Sequence, residues 1–321
     1  MNSKCIARVS GAASYTNFNE KYAKATMEKE CKTCKKERLA RKLVATDGND
    51  SRFQEEKFMK APAVFPNNDS KYDVNKKRSL NFAASKGQGI MYCIAKDTPS
   101  SDALRERPDL PARKLEFLSR HDRESGDLYG ILPLIQGMPV AMTDHIDRSI
   151  DKRILRGRVG YVHSWILDDH EDSVFENGKR ILKKIPKVIF VKFKNKDGND
   201  LDWTLEGMSE PGVYPIQPVT RPWYLDKGRL HPQLRMKRKQ FPLMPAFAMT
   251  AHAAQGQTFS EGAIVDLKLG GSSSAMASYV AITRVQRRQD LMIYRPFPRE
   301  LFANGHKPGL DLLMRVWRDK T

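Results

Sequence analysis

Several things are missing from this sequence, and each absence removes a class of function. No run approaches the 18 or more consecutive apolar residues of a membrane-spanning helix. Residues 1–18 lack the apolar centre of a secretory signal and carry only Lys4 and Arg8 before the first acid, Glu20. The expected setting is therefore soluble and intracellular, in a nucleus or organelle, with no membrane partner. Cysteine is scarce: the four residues at 5, 31, 34 and 93 do not form the dense, even framework of a small secreted domain. Cys31-Lys-Thr-Cys34 has the spacing of a zinc knuckle, but no second Cys or His pair follows and the first histidine is His121. Free thiols are expected there, and no metal site. No Gly-x4-Gly-Lys-Ser/Thr loop occurs to cradle phosphates, since Lys86-Gly-Gln-Gly89 has no Lys-Ser/Thr behind it. Internal repeats are absent as well.

Acidic residues are outnumbered by basic ones. Lys and Arg number 56 against 38 Asp and Glu, for a net charge of +18. Such an excess favours a polyanionic partner. Its distribution sharpens the point, because residues 221–240 hold seven Lys or Arg against one acid, Asp226, with Trp223, Tyr224 and His231 interleaved. Cations alternating with aromatics suit single-stranded nucleic acid, where backbone charge and base stacking are both available. Arg238 and Lys239 are the candidates within that segment, and Arg287, Arg288, Arg295 and Arg299 add charge further on.

Residues 245–258 carry the strongest local signal. Phe247, Met249 and Ala251 alternate with smaller or polar residues, as in a buried strand ending near Thr250. A helical turn after it would place His252 and Gln255 on one face, and Gly256 would end that turn with a positive φ. Ala263–Leu267 reads as the next strand. Gly270–Ser274 reads as a helix-capping loop, followed by a helix from Ala275 to near Gln289 with Tyr279, Ile282 and Val285 inward. Leu291–Tyr294 closes a strand–helix–strand unit. Parallel sheets of this kind bind ligands beyond the carboxyl ends of their strands.

His252-x-x-Gln255-Gly256-x-Thr258 followed by Tyr279-Val-Ala-x-Thr-Arg284 resembles motifs V and VI of superfamily 1 DNA helicases, nearest to the RecD-like and PIF-type group. Other stretches resemble the same group in the same order. These are Phe65-Pro-x-Asn with Asn75, Gly137-Met-Pro-Val, Gly157-Arg-Val-Gly, and Arg238-Lys-Gln-Phe-Pro-Leu243 leading into motif V. Two departures are plain: Arg156 stands where the group has Asn, and Ala253 and Ala254 follow the histidine where Lys, Arg or another polar residue is usual. The resemblance implies a RecA-like second motor domain with a parallel sheet, interrupted by a small SH3-like β-barrel. It also implies that Arg284 acts as the arginine finger toward the γ-phosphate of ATP. Gln255 and Gly256 would sense nucleotide, and His252 and Thr258 would lie against the nucleic-acid backbone. ATP and Mg²⁺ would bind only in combination with a Walker A-bearing domain on a longer or second chain.

The implied organisation is a basic tail over residues 1–51, a first part of the motor domain over 52–136, the barrel over 137–240 and the remainder over 241–321. Within it, residues 71–84 read as a helix, 90–95 as a strand, 97–111 as a polar surface excursion and 310–317 as a short amphipathic helix. Trp165 and Trp203 are expected in the barrel core, with Asp168-Asp169 as the nearest imitation of an acidic strand end. Two functions follow: the C-terminal part of an ATP-dependent, 5′-to-3′ helicase acting on single-stranded DNA, or a nucleic-acid-binding remnant without ATPase activity.

Overall fold

A computed structural model describes residues 50–176, 178–195, 198–260, 262–268, 275–295 and 297. In chain order its elements begin with α1 (Glu56–Lys60), β1 (Ala63–Phe65), α2 (Asn68–Ser85), β2 (Ile90–Ile94), β3 (Lys96–Pro99), α3 (Ser101–Glu106) and α4 (Lys114–Ser119). There follow β4 (Ile131–Leu134), β5 (Pro139–Met142), β6 (Val159–Ile166), β7 (Val174–Glu176), β8 (Lys179–Leu182), β9 (Val188–Lys192) and β10 (Val213–Ile216). The last are β11 (Val219–Tyr224), β12 (Arg235–Gln240), β13 (Leu243–Pro245), β14 (Ala248–Thr250), β15 (Ala263–Val265), α5 (Ala275–Ile282) and β16 (Leu291–Ile293). Cys31 and Cys34, expected as free thiols, the 270–274 loop, Arg299 and the 310–317 helix lie outside the described residues. No helix among the described residues is long and apolar enough to cross a membrane.

Two compact units divide the chain, Met1–Lys71 with Ala248–Thr321, and Tyr72–Phe247 between them. The expected boundaries at 136/137 and 240/241 both fall inside the second unit. Leu243–Pro245 pairs with Pro139–Met142 in that unit, so the chain returns to the first unit's sheet only at Ala248.

The first unit is a four-stranded sheet in the order β14-β1-β15-β16 with every neighbour parallel. Ala63-Val-Phe65 and Ala263-Ile-Val265 are buried throughout, the continuous apolar pattern of strands covered on both faces. Val64, Val265, Ala281, Val285 and Ile293 share one core. The helix after β15 is shorter than the spacing predicts, ending at Ile282 rather than near Gln289. Ser278 and Ala281 supply its most buried positions, while Tyr279 and Ile282 are half-buried. Small residues therefore set how closely this helix approaches the sheet.

The second unit holds three sheets. A five-stranded antiparallel sheet, β10-β9-β6-β5-β13, carries a bulge between Val162 and Ser164 and lies over the larger apolar core. Its edges, β10 and β13, do not pair with each other, so a closed barrel is not formed among the described residues. Gly160 is required here by space: a Cβ would lie 2.6 Å from Val191 Cγ1 and 2.9 Å from the Phe193 ring. Trp165 packs partly buried on this core, and Trp203 is half-buried. A mixed sheet runs β4-β2-β8-β7, and an antiparallel sheet runs β11-β12-β3.

The polar stretch 97–111 is a structural element rather than an excursion. It contributes β3 and the helix α3, capped by Ser100 Oγ accepting from Ala103 N at 3.2 Å. Asp97 on β3 is the reason. Arg238 opposite it on β12 is wholly buried, with side-chain exposures of 0% and 1% for the pair. Its Nε donates to Asp97 Oδ1 and its Nη2 to Asp97 Oδ2, both at 2.8 Å. Nη1 donates to Ser125 Oγ at 2.7 Å and Leu128 O at 3.2 Å, and Nη2 also donates to Phe117 O at 2.6 Å. All five guanidinium donors are thus used. Trp223 lies against the same cation at 5.6 Å and donates from Nε1 to Asp97 at 3.2 Å.

Removing one partner of such a pair strands a buried charge, so Arg238→Met should cost about 3–5 kcal/mol in urea unfolding. Arg238→Met with Asp97→Leu should lose less than the two single losses added. A loss under about 1 kcal/mol for the single variant would show the network to be dispensable. A second test uses pH. Tyr72 and Tyr129 stack at 4.5 Å, and burial pushes the Tyr72 phenol up to about 12 and the Tyr129 phenol higher still. The folded state holds these protons after the unfolded chain has lost them. Stability is therefore whole below about pH 10, the unfolded phenol value, and falls as pH rises toward 12, by up to about 1.4 kcal/mol per pH unit per phenol. Tyr72→Phe with Tyr129→Phe should flatten that decline; an unaltered slope would refute the assignment.

Candidate nucleotide and nucleic-acid interface

The 251–258 segment is a chain of turns, not a helix, at the carboxyl end of β14. Thr250 organises it, with its carbonyl accepting from Ala254 N at 3.0 Å and its hydroxyl from Ala253 N at 3.4 Å. Ala251 and Ala254 are buried in the first unit's core, three residues apart. Anchoring those two methyls turns His252, Ala253, Gln255 and Thr258 outward, and all four are exposed. Gly256 has φ +78°, and a Cβ there would meet nothing within 4 Å, so the turn needs glycine for its backbone and not for space. Gln257 closes the turn by donating from Nε2 to Ala253 O at 2.9 Å. The side chains of His252, Gln255 and Thr258 carry no hydrogen bond among the described residues and face solvent.

Arg284 follows α5, where Thr283 Oγ1 donates back to Tyr279 O at 2.9 Å and ends the helix. The chain then runs alongside the turn segment. Phe259 N donates to Arg284 O at 2.8 Å, and Phe259 and Val285 form a parallel bridge ahead of β15 and β16. The half-buried guanidinium donates from Nε to Val280 O at 2.8 Å, from Nη1 to Gln257 O at 3.2 Å and from Nη2 to Thr283 Oγ1 at 2.9 Å. Three of five donors hold the group in place, and one N–H on each terminal nitrogen is left without a partner among the described residues. The turn and the guanidinium, 26 to 32 positions apart in sequence, are thus joined directly through Gln257.

Other predicted cations sort by burial. Arg238 is removed from the nucleic-acid set, because a wholly buried guanidinium with every donor used has nothing to offer a phosphate. Lys239, next to it on the opposite face of β12, is exposed. Arg295 is spent on the buried Asp266 through Nε–Oδ1 at 2.9 Å and Nη2–Oδ2 at 2.6 Å, hydrogen bonding that holds its pKa above the usual arginine range. Arg288 is buried, and Arg287 is exposed. Asp168 and Asp169 are paired with Lys184 and Lys187 on the surface of the second unit. Among the described residues no cluster of three or more His, Cys, Asp or Glu is arranged to hold a metal ion. Sequence reasoning missed Asp97 and Ser125 as partners; Arg235–Gln240, with Met236 its one apolar residue, carries no local sign that Arg238 points inward.

Neither family models nor curated proteins match this chain. Solved structures do. The Pif1 helicase from Candida albicans is 19% identical with a TM-score of 0.52, over 81% of this chain and 50% of that one. Bacteroides Pif1 bound to ssDNA is 15% identical with a TM-score of 0.50, over 88% of this chain and 49% of that one. A structure of two coordinating Pif1 helicases at forked dsDNA matches at 15% identity and a TM-score of 0.50, over 85% and 49%. The chain therefore spans about half the length of these structures, and over that span it shares the fold of these Pif1 helicases.

Proposed function

We propose that this chain is the second motor half of a superfamily 1 DNA helicase of the RecD-like, PIF-type group, supplying an arginine finger and single-strand contacts to a nucleotide site completed by a Walker A-bearing domain. The observation that carries the reading is the direct link between Arg284 and the 252–258 turn. A guanidinium fixed by three hydrogen bonds, with two N–H groups unused among the described residues, suits a γ-phosphate, which offers several acceptor oxygens. ATP with Mg²⁺ would supply the phosphoryl group to be transferred; in this chain Arg284 would bind and orient it and neutralise developing charge. Gln257 ties that guanidinium to the turn, so a shift of Arg284 toward phosphate would pull on the segment presenting His252, Gln255 and Thr258. That is a means of coupling nucleotide state to grip on a strand. On this reading the bulged five-stranded sheet corresponds to the SH3-like accessory domain. A second reading, a nucleic-acid-binding remnant without ATPase activity, draws on the missing P-loop and on exposed Ala253, where Lys, Arg or another polar residue is usual in the related motif.

The polypeptide alone should show no ATP turnover with single-stranded DNA. Supplying a P-loop-bearing first motor domain should create DNA-stimulated turnover that Arg284→Ala lowers by about 10³- to 10⁵-fold in kcat. Turnover by the isolated chain that vanishes in Arg284→Ala would refute the half-motor proposal. No turnover in the reconstituted pair would favour the remnant. For the strand contacts, His252→Ala with Thr258→Ala should weaken single-stranded DNA binding several-fold, and wild-type affinity should fall steeply with salt as counterions compete. Affinity indifferent to both changes would remove the turn from the interface.

A further inference from the structure

The cations of residues 221–240 fall into two groups once their partners are known. Arg221 pairs with Asp144, Arg229 with Glu106 and Asp226, and Arg238 with Asp97. Lys227, Arg235, Lys237 and Lys239 have no carboxylate partner among the described residues. Three of those four lie on β12, whose burial alternates strictly, with Arg235, Lys237 and Lys239 exposed and Met236, Arg238 and Gln240 buried. In such a strand every second residue lies on one face, about 6.8 Å apart. The register places Tyr224 beside Arg235, Pro222 and Thr98 either side of Lys237, and Thr220 and Lys96 either side of Lys239. Lys96, Thr98, Thr220, Pro222 and Tyr224 are all exposed. This face of the three-stranded sheet therefore carries four cations with no carboxylate partner among the described residues, and no acid.

At the Tyr224–Arg235 end the face opens into a depression of about 530 Å³, also lined by Ser100, Gln233 and two acids, Asp102 and Glu106, the latter paired with Arg229. Asp102 is neutralised by Arg105 beside it. What remains is a partly exposed aromatic ring, 38% accessible, with hydroxyl and amide groups able to meet the edge of a base.

We infer that the solvent face of β11-β12-β3 is a single-strand nucleic-acid platform, with phosphates following Lys96, Lys237 and Lys239 and one base lodged against Tyr224 in the depression beside Arg235. The inference rests on the nucleic-acid function proposed above but concerns different residues in the other unit. Charge complementarity selects a polyanion, and the aromatic with its pocket selects one whose bases are unpaired. The two components have distinct signatures, since phosphate contacts set the salt dependence of binding whereas stacking does not.

Fluorescence anisotropy of the full chain with labelled (dT)₂₀ and (rU)₂₀, titrated across salt, separates them. Lys96→Ala, Lys237→Ala and Lys239→Ala together should reduce the slope of log affinity against log salt by about 2, at roughly 0.7 per phosphate contact. Tyr224→Ala should lower affinity on the order of tenfold at every salt with the slope unchanged, and Tyr224→Phe should restore it. All four positions are exposed, and far-UV circular dichroism verifies that the variants fold. An unchanged slope in the triple variant overturns the platform. If His252→Ala with Thr258→Ala still weakens binding in that case, the proposed function stands without it. Failure of the wild-type chain to bind either oligonucleotide defeats both. Equal competition by a duplex of the same length overturns the assignment to single strands.

Discussion

The Arg238–Asp97 pair is the interaction on which the second unit's architecture most depends. A guanidinium removed from water must recover five hydrogen bonds, and here they come from β3, from the end of α4 and from the turn around Ser125 and Leu128. Those segments are drawn to one point because the alternative is an unpaired buried charge. The Trp223 indole lies against the same cation and shares Asp97 as an acceptor, which joins β11 to the network. Hydrophobic burial fills the neighbouring cluster of Leu110, Phe117, Leu234 and Met236, but it is not directional. The ion pair supplies the direction and with it the register of β12.

That register has a consequence on the opposite face. Turning Arg238 inward obliges Arg235, Lys237 and Lys239 outward, since neighbouring side chains on a strand alternate. The strand that builds the core with one set of residues thereby offers a row of cations with the other. Net charge by itself does not distinguish these uses. The first unit shows the same division, where Asp266 neutralises Arg295 at a strand end and Arg284 keeps two donors without a partner among the described residues.

In the first unit the parallel sheet is what relates the turn to the guanidinium. Alanines 251 and 254 seat the turn in the core, α5 packs closely through Ser278 and Ala281, and the Phe259–Val285 bridge brings the two returning segments side by side. Small residues at these contacts let the backbones approach. The contact between Arg284 and Gln257 is then made to a carbonyl, so it depends on backbone position more than on the identity of residue 257.

Several elements were legible along the chain. Ala263–Val265, Leu291–Ile293 and Val213–Ile216 follow from runs of apolar residues, the helix expected over 71–84 lies within Asn68–Ser85, and the motif order pointed to the fold that the Pif1 helicase structures share. Short polar strands were not legible: Lys96–Pro99 and Arg235–Gln240 have the composition of surface loops, and only pairing across some 140 residues makes them strands. The turn at 251–256 follows a helical spacing, yet Gly256 and the buried alanines resolve it into successive turns. By itself, then, the sequence determined the α/β class, the basic character and the residues near the candidate site, because these rest on local pattern and composition. Which arginine is spent in the core and which is offered to solvent was decided only by tertiary structure, because the partner that neutralises a charge is distant in the chain and near only after folding.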